Sequence, residues 1–213
     1  RRRLELARLV GELTARQQDF APGTATFDLA DRLADLLDEM QSEGVGAEAL
    51  EDPDLAENHA VHWERSLTFL RIIAPYFAPD AAVSAAGLQR RAVEALALDW
   101  QSNPPADPMI VAGSTGSRGA TALLMQAVAG LPQGALVLPG YDFDMTRPAW
   151  ASLASGVVPD EDHPQFRFAR LLRMLKRAPQ DVLAWHTTPP RDPARNRLIS
   201  LALRPAPVTD QWL

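Results

Sequence analysis

Apolar residues recur at helical spacing through the first hundred positions, and then the rhythm changes. Leu4, Leu6, Leu9, Val10 and Leu13 mark a first amphipathic segment, broken at Ala21-Pro22-Gly23. From Phe27 to Met40 the pattern is stronger. Leu29, Leu33, Leu36, Leu37 and Met40 share one face, while Asp28, Asp31, Asp35 and Asp38 line the other and read as a solvated stripe. Thr26 is placed to cap this helix and Gly44 to stop it. After the polar connector Glu51-Asp52-Pro53-Asp54, a third helix is expected over 55–76, with Trp63, Leu67, Leu70 and Ile73 on its apolar side. A fourth is expected over 85–100. Asn103-Pro104-Pro105-Ala106-Asp107-Pro108 then ends the helical half, because proline has no N–H to continue a ladder.

The second half begins with an uninterrupted apolar run, Met109-Ile110-Val111-Ala112, read as a buried strand. A glycine-rich turn follows at Gly113–Thr121, then a helix over 120–129 and a second strand over 135–138, closed by Pro139-Gly140. A strand, helix and strand of this length make a βαβ unit with parallel strands. Further helices are expected over 164–177 and 193–203, and no third strand. Two parallel strands do not make a stable sheet alone, so neighbours from elsewhere are expected. Arg1 enters a helical pattern at once and Asp210-Gln211-Trp212-Leu213 carries no turn signal, which suggests a piece of a longer protein. The expected fold class is therefore α/β and predominantly helical. A helical subdomain over 1–107 precedes an incomplete parallel α/β piece over 108–213 with trailing helices.

Composition narrows the chemistry. The chain has 213 residues, 46% of them hydrophobic, enough for one substantial core or two small ones. No apolar run is long enough to span a membrane, and Arg1 to Leu6 show no signal region. The absence of cysteine excludes a disulfide framework, a thiolate zinc site and a cysteine-held iron–sulfur cluster within these residues, and fits a cytosolic chain. The net charge of -6 hides an asymmetry: -9 through Asp107 and +3 from Pro108 onward. A surface coated uniformly by DNA is thereby disfavoured, and nucleic-acid contact is expected in the second half.

The turn Gly113-Ser114-Thr115-Gly116-Ser117-Arg118-Gly119 sits where α/β proteins bind phosphate, between a strand and a helix N-terminus. A P-loop needs a lysine to neutralise the phosphates, and the chain's one lysine is Lys176. Gly113, Gly116 and Gly119 match a dinucleotide fingerprint more closely, with Asp142 beyond the second strand, so a dinucleotide-dependent oxidoreductase stands as an alternative. A nucleophile elbow fails at Thr115, where its first glycine would stand, and leaves Ser117 a poor nucleophile. A nuclease motif fails because Met174, not an acid, stands two places before Lys176. His59 and His62, with Glu57 and Glu64, have the spacing to hold a metal but read more simply as helix-surface residues. Arg167, Arg170, Arg173 and Arg177 recur along one expected helix opposite Phe168, Leu171, Leu172 and Leu175. The row could track phosphates or form the polar side of a packed helix. A plain protein-interaction module, its acidic half docking a basic partner, is a third reading.

Several ordered segments resemble the AddB family, a subunit of the bacterial helicase–nucleases that repair double-strand breaks. They are Ile110 to Ser117, Leu131 to Asp142, Glu161 to Phe166 with Arg170-Leu171-Leu172, and Ala202 to Ala206 with Thr209-Asp210 and Trp212. Ala7 to Leu9, Phe27 to Ala34 and His62-Trp63 are similar too, so the likeness runs along nearly the whole chain. It implies a superfamily 1 helicase-like lobe of RecA type. The first half would be a helical subdomain inserted in that lobe, and Met109–Ala112 would stand where a working helicase keeps paired acids for magnesium. Here Gly113-Ser114 follow instead, with Thr115 and Gly116 completing a degenerate motif. Gly140-Tyr141-Asp142 or Asp162-His163-Pro164-Gln165 would be a remnant of the next motif. The resemblance thus implies a lobe that does not hydrolyse ATP and has no cofactor and no catalytic residue of its own. It would hold and scan DNA, including the Chi sequence, beside an AddA partner that supplies ATPase power, in the cytoplasm with the nucleoid and away from membranes. Arg118, Arg167, Arg170, Arg173 and Arg177 are the candidate DNA-contacting residues.

Overall fold

The computed structural model describes residues 2–16, 25–51, 67, 69–78, 81, 83–116, 119–155, 162–186, 188–205 and 208–209. They are mostly helical, with one two-stranded parallel sheet. Packing divides the chain into Arg1–Ala95 and Leu96–Leu213, so the division falls inside a helix rather than at the prolines.

In the first unit, α1 (Arg2–Arg16) and α2 (Thr26–Glu43) pack through a shared stripe. Leu6 and Val10 are fully buried, and Ala30, Leu33, Leu37 and Met40 of α2 meet them at helical spacing with Ile73. Leu29 and Leu36 flank this stripe rather than forming it. The acidic side of α2 is not simply solvated. Arg2 makes a bidentate pair with Asp38 at 2.8 Å for both bonds, and Arg3 grips Asp31 at 2.6 and 2.7 Å, so two aspartates beside the seam tie α2 to α1. Asp28 and Asp35 remain exposed.

Ala25, in extended conformation, occupies the cap position of α2 without a side-chain bond, so Thr26 is the first helical residue and not the cap. Gly44 does end α2, at φ +71°, and the N–H groups of Gly44 and Val45 both reach the Met40 carbonyl. Most of the expected third helix lies outside the described residues. Its end is a 3-10 helix, Arg71–Phe77, with Pro75 inside it. α3 (Ala85–Ser102) is capped by Ser84, whose Oγ accepts the Gly87 N–H at 3.1 Å. Gln41 fastens that cap to α2: its Oε1 accepts the Ser84 N–H while its Nε2 donates to the Tyr76 carbonyl.

In the second unit, β1 (Met109–Ala112), α4 (Gly119–Ala129) and β2 (Gly134–Val137) form the expected parallel βαβ unit, with Met109 opposite Gly134 and Ala112 opposite Val137. α4 packs on both strands. Gly134 identifies the covered face, because a Cβ there would lie 1.7 Å from the Val128 carbonyl oxygen. The opposite face is open, with Ile110 56% exposed and Ala112 exposed, so β1 is a half-exposed strand and not the buried one its apolar run suggested.

α5 (Arg147–Ser155) adds a helix beyond those expected from the apolar pattern; Pro148 in its first turn and Ala149, Trp150 and Leu153 at helical spacing signal it. Those three are buried with Phe168 and Ala169 of α6 (Phe166–Met174). A short 3-10 turn, Pro179–Asp181, leads toward α7 (Pro193–Ala202), which Asp192 caps by accepting the Arg195 N–H.

Gly134 and Gly113 offer a matched test. Gly134→Ala drives a methyl into fixed backbone and is expected to cost about 3 kcal/mol or more. Gly113 has φ +80° with nothing within 4 Å, so Gly113→Ala carries only left-handed strain, about 1–2 kcal/mol. Urea unfolding of both variants measures this, and equal losses would refute the assigned α4 face.

Candidate functional site

The carboxyl ends of parallel strands are where α/β proteins gather ligands, because loops and helix N-termini converge there. Two loops leave that end here. The one after β1 holds Gly113 (φ +80°), Gly116 (φ +59°) and, at the start of α4, Gly119 (φ +57°), all in the left-handed region. The three glycines are thus needed for backbone shape. Gly116 is also buried: a Cβ would meet the Met125 sulfur at 2.8 Å and Leu171 at 3.3 Å. Two of the loop's N–H groups are already used, Gly113 donating to the Val137 carbonyl of β2 and Gly116 to the Ser114 hydroxyl at 3.2 Å. Ser114 and Thr115 are half-buried. Ser117 and Arg118, like His59, His62, Glu57 and Glu64, lie outside the described residues.

The loop after β2 is built around Gln165, only 8% exposed. Its Nε2 donates to the Gly140 carbonyl at 2.9 Å and its Oε1 accepts the Asp142 N–H at 3.1 Å. Both segments singled out as motif remnants, Gly140–Asp142 and Asp162–Gln165, therefore come together, and the glutamine between them is occupied by backbone. His163 Nδ1 accepts the Gln165 N–H. Tyr141 stacks on Trp150 with ring centres 5.0 Å apart and donates its hydroxyl to the Pro179 carbonyl at 2.7 Å. Burial, helped by the Asp142 carboxylate, pushes the Tyr141 phenol up to about 12.

The arginine row is sharply two-sided. Phe168, Ala169, Leu171 and Leu172 are buried, while Arg167, Arg170 and Arg173 are exposed and form no ion pair with a described residue. Arg177 is exposed but off the helix. α6 stops at Met174, Lys176 turns left-handed at φ +53°, and the Arg177 N–H returns to the Leu172 carbonyl. The expected extension of this helix to Arg177 is thus corrected: a lysine takes the C-terminal position usually given to glycine.

Below the β2 exit lies an open groove of about 760 Å³, bounded by the Gly140–Asp144 loop, the 182–190 segment and α7. Sequence reasoning missed it, because its walls join the end of β2 and the turn after it to His163, Gln165, the stretch from Val182 to Pro190 and α7, which are distant in the chain. Among the described residues, no group of three or more His, Asp or Glu side chains could hold a metal ion, and no helix is long and apolar enough to cross a membrane. Compared with family models, curated proteins and solved structures, the chain matches none.

Removing the Gln165 amide strands the Asp142 N–H and the Gly140 carbonyl together. Gln165→Leu is expected to cost about 1–3 kcal/mol in denaturant unfolding, and a loss under about 0.5 kcal/mol, the range of an ordinary surface change, would contradict the clamp.

The Tyr141 phenol gives a pH signature. Its folded pKa of about 12 exceeds the ordinary 10.0. The unfolded chain therefore loses the proton first as pH rises, and stability falls between about pH 10 and 12. With two tyrosines in the chain, phenolate absorbance is assignable by Tyr141→Phe. Burial and the Glu5 carboxylate raise the Tyr76 phenol as well, so that variant is expected to remove one of two late titrations and to lessen the loss of stability across this window.

Proposed function

We propose that this chain is a non-catalytic segment of an AddB-type subunit of a double-strand-break-repair helicase–nuclease, with α6 lying against DNA. The observation that carries the reading is the row Arg167, Arg170 and Arg173, exposed and without an acidic partner among the described residues, on a helix whose other side is buried. Guanidinium groups spaced by single helical turns suit successive phosphates, which contribute affinity without reading sequence. The excess positive charge of the second half supports the same face.

The motor-like part of the reading rests on the resemblance and on the loop after β1. In a RecA-like lobe this loop would carry acids for magnesium; here its glycines shape the backbone and two of its N–H groups are taken, one by β2 and one by Ser114. That supports an ATPase-inactive lobe which holds DNA, and contributes to scanning for Chi, while an AddA-type partner drives movement. The complex would act in the cytoplasm, associated with the nucleoid. The same features weigh against a dinucleotide site, since Gly116 is pressed against Met125 and Leu171.

The test is DNA affinity across a salt series, by fluorescence anisotropy with a labelled duplex. The combined change Arg167→Ala, Arg170→Ala and Arg173→Ala is expected to weaken binding and to lower the slope of log affinity on log salt by about 3. Unchanged affinity and slope would remove α6 as the contact surface.

A further inference from the structure

The groove beside β2 has a composition unlike that of the arginine face. Five of its lining residues are large and apolar yet solvent-exposed: Phe143 58%, Leu183 85%, Trp185 75%, Ile199 44% and Leu203 45%. Exposed apolar groups are usually scattered singly; grouped around one concavity, they mark an interaction surface. Among the described residues that line it, the groups charged at neutral pH are two carboxylates, Asp142 and Asp144. Asp142 forms no ion pair with a described residue, and its Oδ1 accepts the Asp144 N–H at 2.9 Å. Asp144 meets Arg197 only loosely, at 3.8 Å, with the arginine side chain 76% exposed. A cation is thus already drawn to this rim but not seated. At the inner wall Ser200 is 5% exposed, and its hydroxyl has no hydrogen-bond partner among the described residues.

We propose that this groove docks a peptide segment of a partner protein that brings an apolar anchor side chain together with a lysine or arginine. The anchor lies against Trp185, Phe143 and Ile199, and the cation reaches Asp142 and Asp144, where the neighbouring aromatic faces add cation–π attraction. Charge selects this occupant. Among the described residues that line the groove there are two carboxylates and no lysine or arginine, and the loosely held Arg197 at the rim can yield its place; this repels a nucleic-acid backbone but complements a basic peptide. The inference goes beyond the DNA reading and uses a different surface, so either can fail alone.

The experiment pans a displayed library of random short peptides against the full chain and measures the selected peptides by anisotropy. The expected result is enrichment of an aromatic or leucine anchor near a Lys or Arg. Affinity should fall about tenfold or more in Trp185→Ala. In the double change Asp142→Asn with Asp144→Asn, the salt dependence should be lost. Leu183→Ser, at the most exposed of these positions, gives a second variant with little folding risk and should weaken binding as well. Duplex DNA affinity should stay unchanged in all of them. The proposal is overturned by selected peptides lacking a basic residue, by equal binding to the variants, by a library that yields no binder, or by self-association of the chain that Trp185→Ala abolishes. Competition by a single-stranded oligonucleotide, lost in the same variants, would also overturn it.

Discussion

The second unit depends on one buried amide. Gln165 stands at the entrance of α6, and its side chain completes the turn that leaves β2, donating to Gly140 and accepting from Asp142. A buried amide offers a donor and an acceptor on one rigid plane, so satisfying both fixes the turn in position and orientation. Tyr141, at the centre of that turn, is thereby held with its ring on Trp150 and near Phe168, and its hydroxyl on the Pro179 carbonyl. The end of the sheet, α5, α6 and the 3-10 turn after α6 are joined through three residues. The groove wall carrying Phe143, Asp142 and Asp144 is the continuation of the same turn.

The first unit is held by a different balance. Its core is a helix seam, with Leu6 and Val10 against Leu33 and Leu37, and burial of this kind supplies most of the stabilisation. The Arg2–Asp38 and Arg3–Asp31 pairs are partly solvated, so each adds only on the order of 1 kcal/mol or less. Their effect is more one of register: two forked pairs accept a narrow range of helix positions, which a greasy seam alone would not specify.

Much of this architecture was legible in the sequence, and the exceptions have physical causes. Long periodic segments such as 27–40 and 85–100 announced their helices, and the strand pair with its intervening helix followed from run lengths and glycine punctuation. Helix ends were harder. Gly44 could be read because glycine alone enters the left-handed region freely, whereas Lys176 does so against preference and hid the end of α6. β1 was misjudged because an apolar run reports that residues avoid water, not which neighbour covers them; among the described residues only α4 does so, and only on one face. Asp31 and Asp38 looked like solvent-facing charge because their arginine partners lie 28 and 36 positions away. The glycine-rich loop could be seen in sequence, but the Gln165 clamp could not, since nothing local links residue 165 to residues 140 and 142.

The two proposed surfaces share an origin in α6 and the turn before it, and this is why their charges can differ so sharply within one unit. The helix is amphipathic, so arginines gather on the side opposite Phe168 and Leu171. The turn that leaves β2, which Gln165 clamps to the entrance of α6, is acidic: Asp142 accepts the Asp144 N–H in an Asx-type bond, and Phe143 between them packs edge-on against Tyr141 while remaining exposed. Opposite potentials on one small body favour opposite ligands, phosphate on one and a basic peptide on the other, and each repels what the other attracts. On the two proposals taken together, a shared frame of this kind would present both surfaces at once without either needing a catalytic group. The loop after β1 adjoins the same helix: a Cβ at Gly116 would lie 3.3 Å from Leu171 of α6 and 2.8 Å from the Met125 sulfur, so the feature that most resembles a nucleotide site is closely packed where only glycine fits.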